Sequence, residues 1–199
     1  MLLLVLLSIF SGFGGPPPKT TAASLKAVRV TYLADETQAL KLDCPAKATT
    51  CFTVPFVQAI MMQESGGNTA AHSSAGALGL MQVTRGKVSA SQDPIAPLTN
   101  IEAGVTYLNA CARWFGGDLE LTAACYNAGP GTGTTHVRDL GVRGPEKLAG
   151  ATQWPAVAAY IKGHSPLHGY LQTVRYVSGV MGFFAEFQKP DPLASPGRP

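Results

Sequence analysis

The sequence predicts a mainly α-helical protein with a single domain. The chain has 199 residues, the usual size of one globular domain, and 46% of them are hydrophobic, which is enough for a buried core. Its apolar residues recur at helical spacing in several segments, whereas strand signals are few. Charged residues make up only 14% of the chain, which also contains 22 Gly and 15 Pro. This composition is typical of a compact, loop-rich domain and argues against a coiled coil or a disordered chain.

The first clear helix is predicted over Val54–Ser65. Thr53 stands where a helix N-cap is expected, and Pro55 falls in the first turn, where its missing N–H is harmless. Gly66 and Gly67 follow directly and provide the stop signal, because glycine readily adopts the left-handed conformation that ends helices.

Two further helices form a predicted hairpin. The first extends from Asn100 to about Phe115, where Gly116 and Gly117 end it, and the second from Leu119 to about Asn127, capped by Asp118. Because the connection is so short, the two helices should be antiparallel neighbours. The apolar residues at helical spacing on the first helix are Ile101, Val105, Leu108 and Ala112.

The remaining segments are assigned more coarsely. Helices are predicted over Pro155–Lys162 and Tyr170–Phe187, and residues 129–150, rich in Gly and Thr, are predicted to form a long loop. Segment 23–40 gives no firm indication of its secondary structure.

Both ends of the chain differ from its body. Residues 1–15 form an apolar segment that we interpret as an export signal peptide, although no Lys or Arg precedes its apolar core. The apolar run is shorter than the roughly 20 residues of a membrane-spanning helix, so no stable membrane span is expected. Residues 16–22 are a Pro-rich spacer and 190–199 a disordered tail, which leaves 23–189 as the domain. We expect a periplasmic or extracellular protein.

Four cysteines are present, at positions 44, 51, 111 and 125. In an exported chain an even number suggests two disulfides, and although three pairings exist, proximity favours Cys44–Cys51 and Cys111–Cys125. Neither pair has zinc-ligand spacing, and the four His do not cluster with them, so no metal or other cofactor is expected. The net charge of +3 comes without a Lys/Arg block, so no nucleic-acid partner is expected either.

Glu64 is the candidate catalytic residue. It lies four residues after Ile60 and three after Met61, on the core-facing side of its helix. Burial there would raise its pKa, the condition that lets a carboxyl group act as a general acid near neutral pH. The alternative is a glutamate at the end of a helix that has turned into solvent. No other Asp or Glu lies between Asp43 and Asp93, whereas most glycosidases use two carboxylates.

A glycine-rich segment follows this helix. Gly76 and Gly79 precede Gln82, whose amide can hydrogen-bond a sugar at any pH, and glycines allow the backbone to approach a ligand closely. On the residues alone, a turn leading into a buried segment explains the pattern equally simply.

Together these residues resemble the soluble lytic transglycosylase family of the lysozyme-like superfamily. The resemblance covers roughly residues 54–184 through five motifs in register: Glu64-Ser65-Gly66, followed by Ser73; Gly76-Ala-Leu-Gly-Leu-Met-Gln82; Asn100-Ile-Glu-Ala-Gly104-Val-Thr-Tyr-Leu108; Ala124-Cys-Tyr126-Asn127-Ala-Gly129-Pro130; and Gln172-Thr-Val-Arg-Tyr176-Val.

The resemblance implies a lysozyme-like fold with a glycan-binding cleft. It also implies cleavage of the β-1,4 bond between N-acetylmuramic acid and N-acetylglucosamine in peptidoglycan, with a 1,6-anhydromuramoyl product. Glu64 would be acid and then base, while the substrate's acetamido group stabilises the anomeric carbon, so one carboxylate is enough.

Six further positions correspond to family positions that bind substrate or line the site. The resemblance assigns sugar contacts to Ser73 and Gln82 with Met81 packing beside them, a hydroxyl near the reacting ring to Tyr126, glycan binding or backbone support to Asn127, and the floor near Glu64 to Tyr176.

Four positions depart from the family pattern. Gly67 stands where an aromatic residue is frequent and Thr69 where Pro is frequent. Cys125 stands where Ala is usual, and Gln172 where the family has Glu. The change at Gln172 alters a charge that could contact peptide stems or amino sugars.

Two alternative functions are considered. A goose-type muramidase would share the fold and the acid but use water, with Asp93, Glu102 or Asp118 as a candidate second carboxylate. A non-catalytic peptidoglycan-binding module would keep the fold for assembly. The small domain also suggests an enzyme that serves an envelope-spanning secretion, conjugation or pilus complex, or one carried by a phage.

Overall fold

The computed structural model describes residues 21–43, 52–128, 153–163 and 171–190. The helices in these ranges are α1 (Ala22–Thr31), α2 (Leu33–Asp43), α3 (Val54–Ser65), α4 (Pro97–Phe115), α5 (Leu119–Ala128), α6 (Trp154–Gly163) and α7 (Leu171–Gln188). Strands β1 (Ala77–Leu78) and β2 (Val83–Thr84) pair antiparallel, and Arg85–Lys87 form a short 3-10 helix. The predicted mainly α architecture is confirmed for these residues.

Several predicted segments lie outside the described residues. These are the N-terminal segment 1–15, most of the spacer 16–22, Cys44 and Cys51 with their expected bridge, the predicted loop 129–150, and the tail from residue 191 onward. Within the described ranges, no helix has the length and apolar character needed to cross a bilayer.

Helix α3 is the central helix of the structure. Every residue from Phe56 to Met62 is buried, and α3 packs most extensively against α7 and also contacts α1 and α2. A helix that is covered on all sides needs apolar residues all round rather than one stripe, which explains the run of apolar side chains. Its predicted bounds are confirmed. Gly66, at φ 64°, ends it by donating its N–H to the Met62 carbonyl at 3.0 Å.

Gly67 explains one departure from the family pattern. Its φ is 82°, and a Cβ built there would lie 2.5 Å from Cγ2 of Val28 on α1. The close approach of α1 therefore leaves no room for the aromatic side chain that is frequent at this position.

Helices α4 and α5 form the predicted hairpin. Asp118 accepts a hydrogen bond from the Leu121 N–H at 2.8 Å, as expected of a cap. The Cys111–Cys125 disulfide joins the two helices, with 5.7 Å between the Cα atoms, and confirms this pairing.

Helix α4 begins at Pro97 rather than Asn100, because Pro at the first helical position is favourable and Asn100 is not the cap.

Asn100 instead fixes the segment that follows α3. Its Oδ1 accepts from the Met81 N–H at 2.7 Å, and its Nδ2 donates to the carbonyls of Leu78 at 2.8 Å and Pro94 at 2.7 Å. Gly79, at φ 73°, sits against this amide, and a Cβ there would lie 2.8 Å from Asn100 Cγ. Segment 71–84 is therefore held on α4 by one buried side chain.

Segment 23–40, left unassigned from the sequence, forms α1 and α2. Thr21 and Ser24 make a reciprocal capping box, with both hydrogen bonds at 3.0 Å, so α1 begins one residue inside the predicted spacer. On α2, the fully buried Glu36 accepts a hydrogen bond from Gln58 Nε2 at 2.9 Å. Burial raises the pKa of Glu36 and this hydrogen bond lowers it. The effect of burial is the larger, and the pKa is about 8.

We predict that Asn100→Ala lowers the free energy of unfolding by at least about 3 kcal/mol, because it leaves one buried N–H and two carbonyl groups without their partner. Urea denaturation measures this change. The control is Asn68→Ala at an exposed turn, where one local hydrogen bond to the Ala70 N–H is lost. Equal effects of the two substitutions would contradict the role given to Asn100.

Candidate active site

Glu64 lies in the last turn of α3, where its side chain is partly buried. Tyr176, on α7, donates its hydroxyl hydrogen to Glu64 Oε1 at 2.6 Å. The packing of α3 against α7 brings these two residues together although they are 112 positions apart in the chain. Gly179 allows this approach, because a Cβ there would lie 2.9 Å from Gln63 Cδ.

Two opposing effects act on the pKa of Glu64. Burial penalises the charged carboxylate, and the hydrogen bond from Tyr176 favours it. Burial dominates and raises the pKa to about 8. Glu64 therefore holds a proton at neutral pH. Since Oε1 is the acceptor of the Tyr176 hydrogen bond, that proton belongs on Oε2.

Tyr176 and Tyr126 lie near this carboxyl group and Tyr107 packs against Tyr126, and we refer to these three residues as the tyrosine cluster. The rings of Tyr107 and Tyr126 lie 5.2 Å apart. Burial raises the pKa of all three hydroxyls, that of Tyr107 to about 12, and the charge of Glu64 adds to the increase at Tyr126 and Tyr176. The cluster consequently stays neutral and offers hydroxyl groups, not charges, beside Glu64.

Tyr126 connects the cluster to the segment after α3. Its hydroxyl donates to the Met81 carbonyl at 2.7 Å. Since the hydrogen is used in this bond, the Tyr126 oxygen faces the site as an acceptor. The Met81 side chain itself is fully buried, with Gly104 so close that a Cβ there would overlap it. Met81 was expected to pack beside Ser73 and Gln82. The structure places its side chain in the core, and its carbonyl accepts the Tyr126 hydrogen bond.

Ser73 and Gln82 lie in the turn-rich segment between α3 and α4. The Ser73 Oγ accepts from the Ala77 N–H at 2.9 Å, which leaves its hydroxyl hydrogen for another acceptor. Gln82 has φ 48°, a left-handed conformation, and its Nε2 donates to the carbonyls of Ala71 at 3.2 Å and Gly79 at 2.9 Å. Gln82 Oε1 is therefore the atom of this side chain that can accept a hydrogen bond from a substrate.

Asn127 holds α5 and α7 together. Its Oδ1 accepts from the Thr173 hydroxyl at 2.9 Å, one helical turn before Tyr176. This contact leaves the two N–H groups of Asn127 Nδ2 as the donors that can reach a substrate.

Sequence reasoning missed roles for two residues within a motif it quoted. Asn100 and Tyr107 belong to the Asn100–Leu108 motif, but only its helical spacing was used. The available signal was a polar Asn100 and an aromatic Tyr107 on one helix, seven positions apart. This spacing does not show which loop Asn100 contacts or which ring Tyr107 contacts.

The other carboxylates of the described region do not converge on Glu64. Asp118 caps α5, Asp93 accepts from the Ile95 N–H at 3.1 Å in its own turn, and neither they nor Glu102 contribute to the pKa shift of Glu64. Across the described ranges, no group of three His, Cys, Asp or Glu side chains is arranged to hold a metal ion.

A family model for the Transglycosylase SLT domain matches residues 46–147, just over half of the chain. The chain belongs to this transglycosylase family. Two curated relatives, the soluble lytic murein transglycosylases of Escherichia coli (strain K12) and Salmonella typhimurium, are each 35% identical to it over 88 residues. The match covers 38% of this chain and only 14% of each relative.

Two solved structures of transglycosylases are similar over most of the chain. One is an inactive mutant of lytic transglycosylase Slt from Pseudomonas aeruginosa, in which a Glu is replaced by Gln, with TM-score 0.57 and 26% identity over 77% of this chain and 23% of that one. The other is the 70 kDa soluble lytic transglycosylase of Escherichia coli, with TM-score 0.55 and 25% identity over 76% and 24%. These likenesses confirm the predicted lysozyme-like fold of this transglycosylase domain.

We predict that Tyr176→Phe raises the pKa of Glu64 further, because it removes the hydrogen bond that favours the carboxylate while the carboxyl group stays buried. An NMR titration of the Glu64 side-chain carboxyl carbon measures the shift. Tyr32→Phe, at the junction of α1 and α2, is the control and should leave this titration unchanged. A pKa that falls in Tyr176→Phe would show that solvent entry, not the hydrogen bond, governs Glu64.

Proposed function

We propose that this protein is a peptidoglycan lytic transglycosylase. It cleaves the β-1,4 bond between N-acetylmuramic acid and N-acetylglucosamine and leaves a 1,6-anhydromuramoyl end. The observation that carries the proposal is Glu64, a protonated carboxyl group fixed through one oxygen by Tyr176 and set apart from other described carboxylates. The transglycosylase family of the chain and the names of its relatives support the same reaction.

In the first step Glu64 is the general acid. Its Oε2 proton passes to the glycosidic oxygen as the bond from that oxygen to the anomeric carbon breaks, and the N-acetylglucosamine side leaves as an alcohol. The substrate's own 2-acetamido group stabilises the positive charge on the anomeric carbon. As Glu64 becomes a carboxylate, the hydrogen bond from Tyr176 becomes charge-assisted and strengthens.

In the second step the same residue is the general base. The Glu64 carboxylate takes the proton of the muramoyl C6 hydroxyl while that oxygen bonds to the anomeric carbon. The ring closes as the 1,6-anhydro form, and Glu64 regains its proton. No water is consumed, so the reaction needs neither a second carboxylate nor a water-binding site.

The surrounding polar groups suit the binding of a neutral sugar. The Ser73 hydroxyl and the Asn127 amide provide donors, and Gln82 Oε1 and the Tyr126 oxygen provide acceptors. We assign all four to glycan binding. Tyr176 is a positioning residue, since it acts on substrate through Glu64.

The setting of the enzyme follows from its substrate. Peptidoglycan lies outside the cytoplasmic membrane, which together with the apolar segment 1–15 supports a periplasmic or extracellular location. An association with an envelope-spanning secretion, conjugation or pilus complex stays a prediction from the size of the domain.

A hydrolytic muramidase is less well supported because it needs a carboxylate to activate water. Asp93, Glu102 and Asp118 were the candidates, and none perturbs Glu64. A module that only binds glycan gives no reason for a glutamate that is kept protonated beside a tyrosine hydroxyl.

We predict that Glu64→Gln lowers the release of soluble muropeptides from purified peptidoglycan by at least about 100-fold, since the amide cannot donate and recover a proton. Glu36→Gln is a matched control, because Glu36 is also a buried glutamate with a pKa of about 8 but lies on α2 in a bond with Gln58. It should retain activity. An active Glu64→Gln protein would refute the role of Glu64.

A further inference from the structure

Lys87 lies beside the tyrosine cluster and has no role in the mechanism above. It is the last residue of the 3-10 helix Arg85–Lys87, and its Nζ stands 3.3 Å from the centroid of the Tyr107 ring. This distance is well within the range of a cation–π contact. The ring of Tyr107 in turn contacts Tyr126, so the ammonium group rests on the outer member of the cluster.

The neighbouring Arg85 behaves differently, although it belongs to the same short helix. Its guanidinium donates to the carbonyls of Gln92 at 3.1 Å and Ala90 at 3.2 Å, and so fixes the loop that follows. Arg85 is thus used for structure, whereas the polar end of Lys87 is directed onto the aromatic ring.

Within residues 21–43, 52–128, 153–163 and 171–190, the Lys87 ammonium group has no anionic partner. Desolvation of the ammonium group lowers its pKa from the usual value, although the residue as a whole is exposed. A cation that has lost part of its hydration without gaining an anion favours the binding of a carboxylate.

The proposed substrate carries such groups. Muramic acid bears a lactyl substituent, which ends in a free carboxylate when no peptide is attached, and peptide stems carry carboxylates of their own. N-acetylglucosamine has no carboxylate.

We propose that Lys87 is a specificity-determining residue that binds a carboxylate of the muramoyl units of the glycan, with Tyr107 holding its side chain in place. This inference rests on the proposed function, because it assumes that glycan lies along the tyrosine cluster. Lys87 acts in binding and does not take part in the proton transfers of Glu64.

The test is a binding titration with three ligands in low salt, carried out on the full chain with Glu64→Gln to prevent turnover. The ligands are glycan stripped of peptides, glycan with peptide stems, and an oligomer of N-acetylglucosamine. Lys87→Met should weaken binding of at least one carboxylate-bearing glycan about threefold to tenfold, with no change for the N-acetylglucosamine oligomer. High salt should remove this difference.

Two further variants separate charge from packing. Lys87→Arg keeps the cation over the ring and should bind like the parent. Lys26→Met, at an exposed position on α1, makes the same change in net charge away from the site and should also bind like the parent.

A defect of Lys87→Met with the stripped glycan identifies the lactyl carboxylate as its partner, and a defect only with the stem-bearing glycan identifies a peptide carboxylate.

Three outcomes would overturn the inference. If Lys87→Met binds every ligand like the parent, or weakens the N-acetylglucosamine oligomer equally, Lys87 does not read a carboxylate. If Lys26→Met reproduces the defect, the effect is one of net charge. Failure of the Glu64→Gln protein to bind any of the three ligands is a separate result, because it contradicts the proposed function itself.

Discussion

The hydrogen bond from Tyr176 to Glu64 is the contact on which the site depends. It joins α3 and α7 next to the carboxyl group and occupies one of the two carboxyl oxygens. By itself this hydrogen bond would lower the pKa of Glu64, but burial raises the pKa by more, so that Glu64 keeps its proton. The hydrogen bond therefore orients the Glu64 carboxyl group without lowering its pKa below neutral. The same hydrogen bond becomes stronger once the proton has left. In the proposed reaction a single residue would in this way serve both directions of proton transfer.

Other buried contacts fix the segment between α3 and α4. Asn100 fixes the segment after α3 through three hydrogen bonds, and the Tyr126 hydroxyl binds the Met81 carbonyl of the same segment. The Cys111–Cys125 disulfide joins α4 and α5 immediately before Tyr126. The segment that carries Ser73 and Gln82 is thereby held by buried contacts from two helices. Such preorganisation is what positioning a flexible glycan requires.

The sequence was sufficient where the signal is local. Periodic apolar residues and glycine stops predicted α3 to the residue, and Asp118 was recognisable as a cap. It was insufficient where a side chain's partner is distant in the chain. The start of α4 was placed at Asn100, whereas the helix begins at Pro97 and the Asn100 amide is engaged with Leu78, Met81 and Pro94. Met81 was expected beside Ser73 and Gln82, and its complete burial against Gly104 was not predicted. Glu36, among polar neighbours, gave no sign of complete burial.

The central claim is that one protonated carboxyl group cleaves the glycan without water. Digestion of purified peptidoglycan in water enriched in heavy oxygen tests it most directly, with the new muramoyl ends analysed by mass spectrometry. Our account predicts anhydro ends that are one water lighter than reducing ends and carry no heavy oxygen. Reducing muramoyl ends that contain the heavy isotope would contradict it and establish a hydrolase.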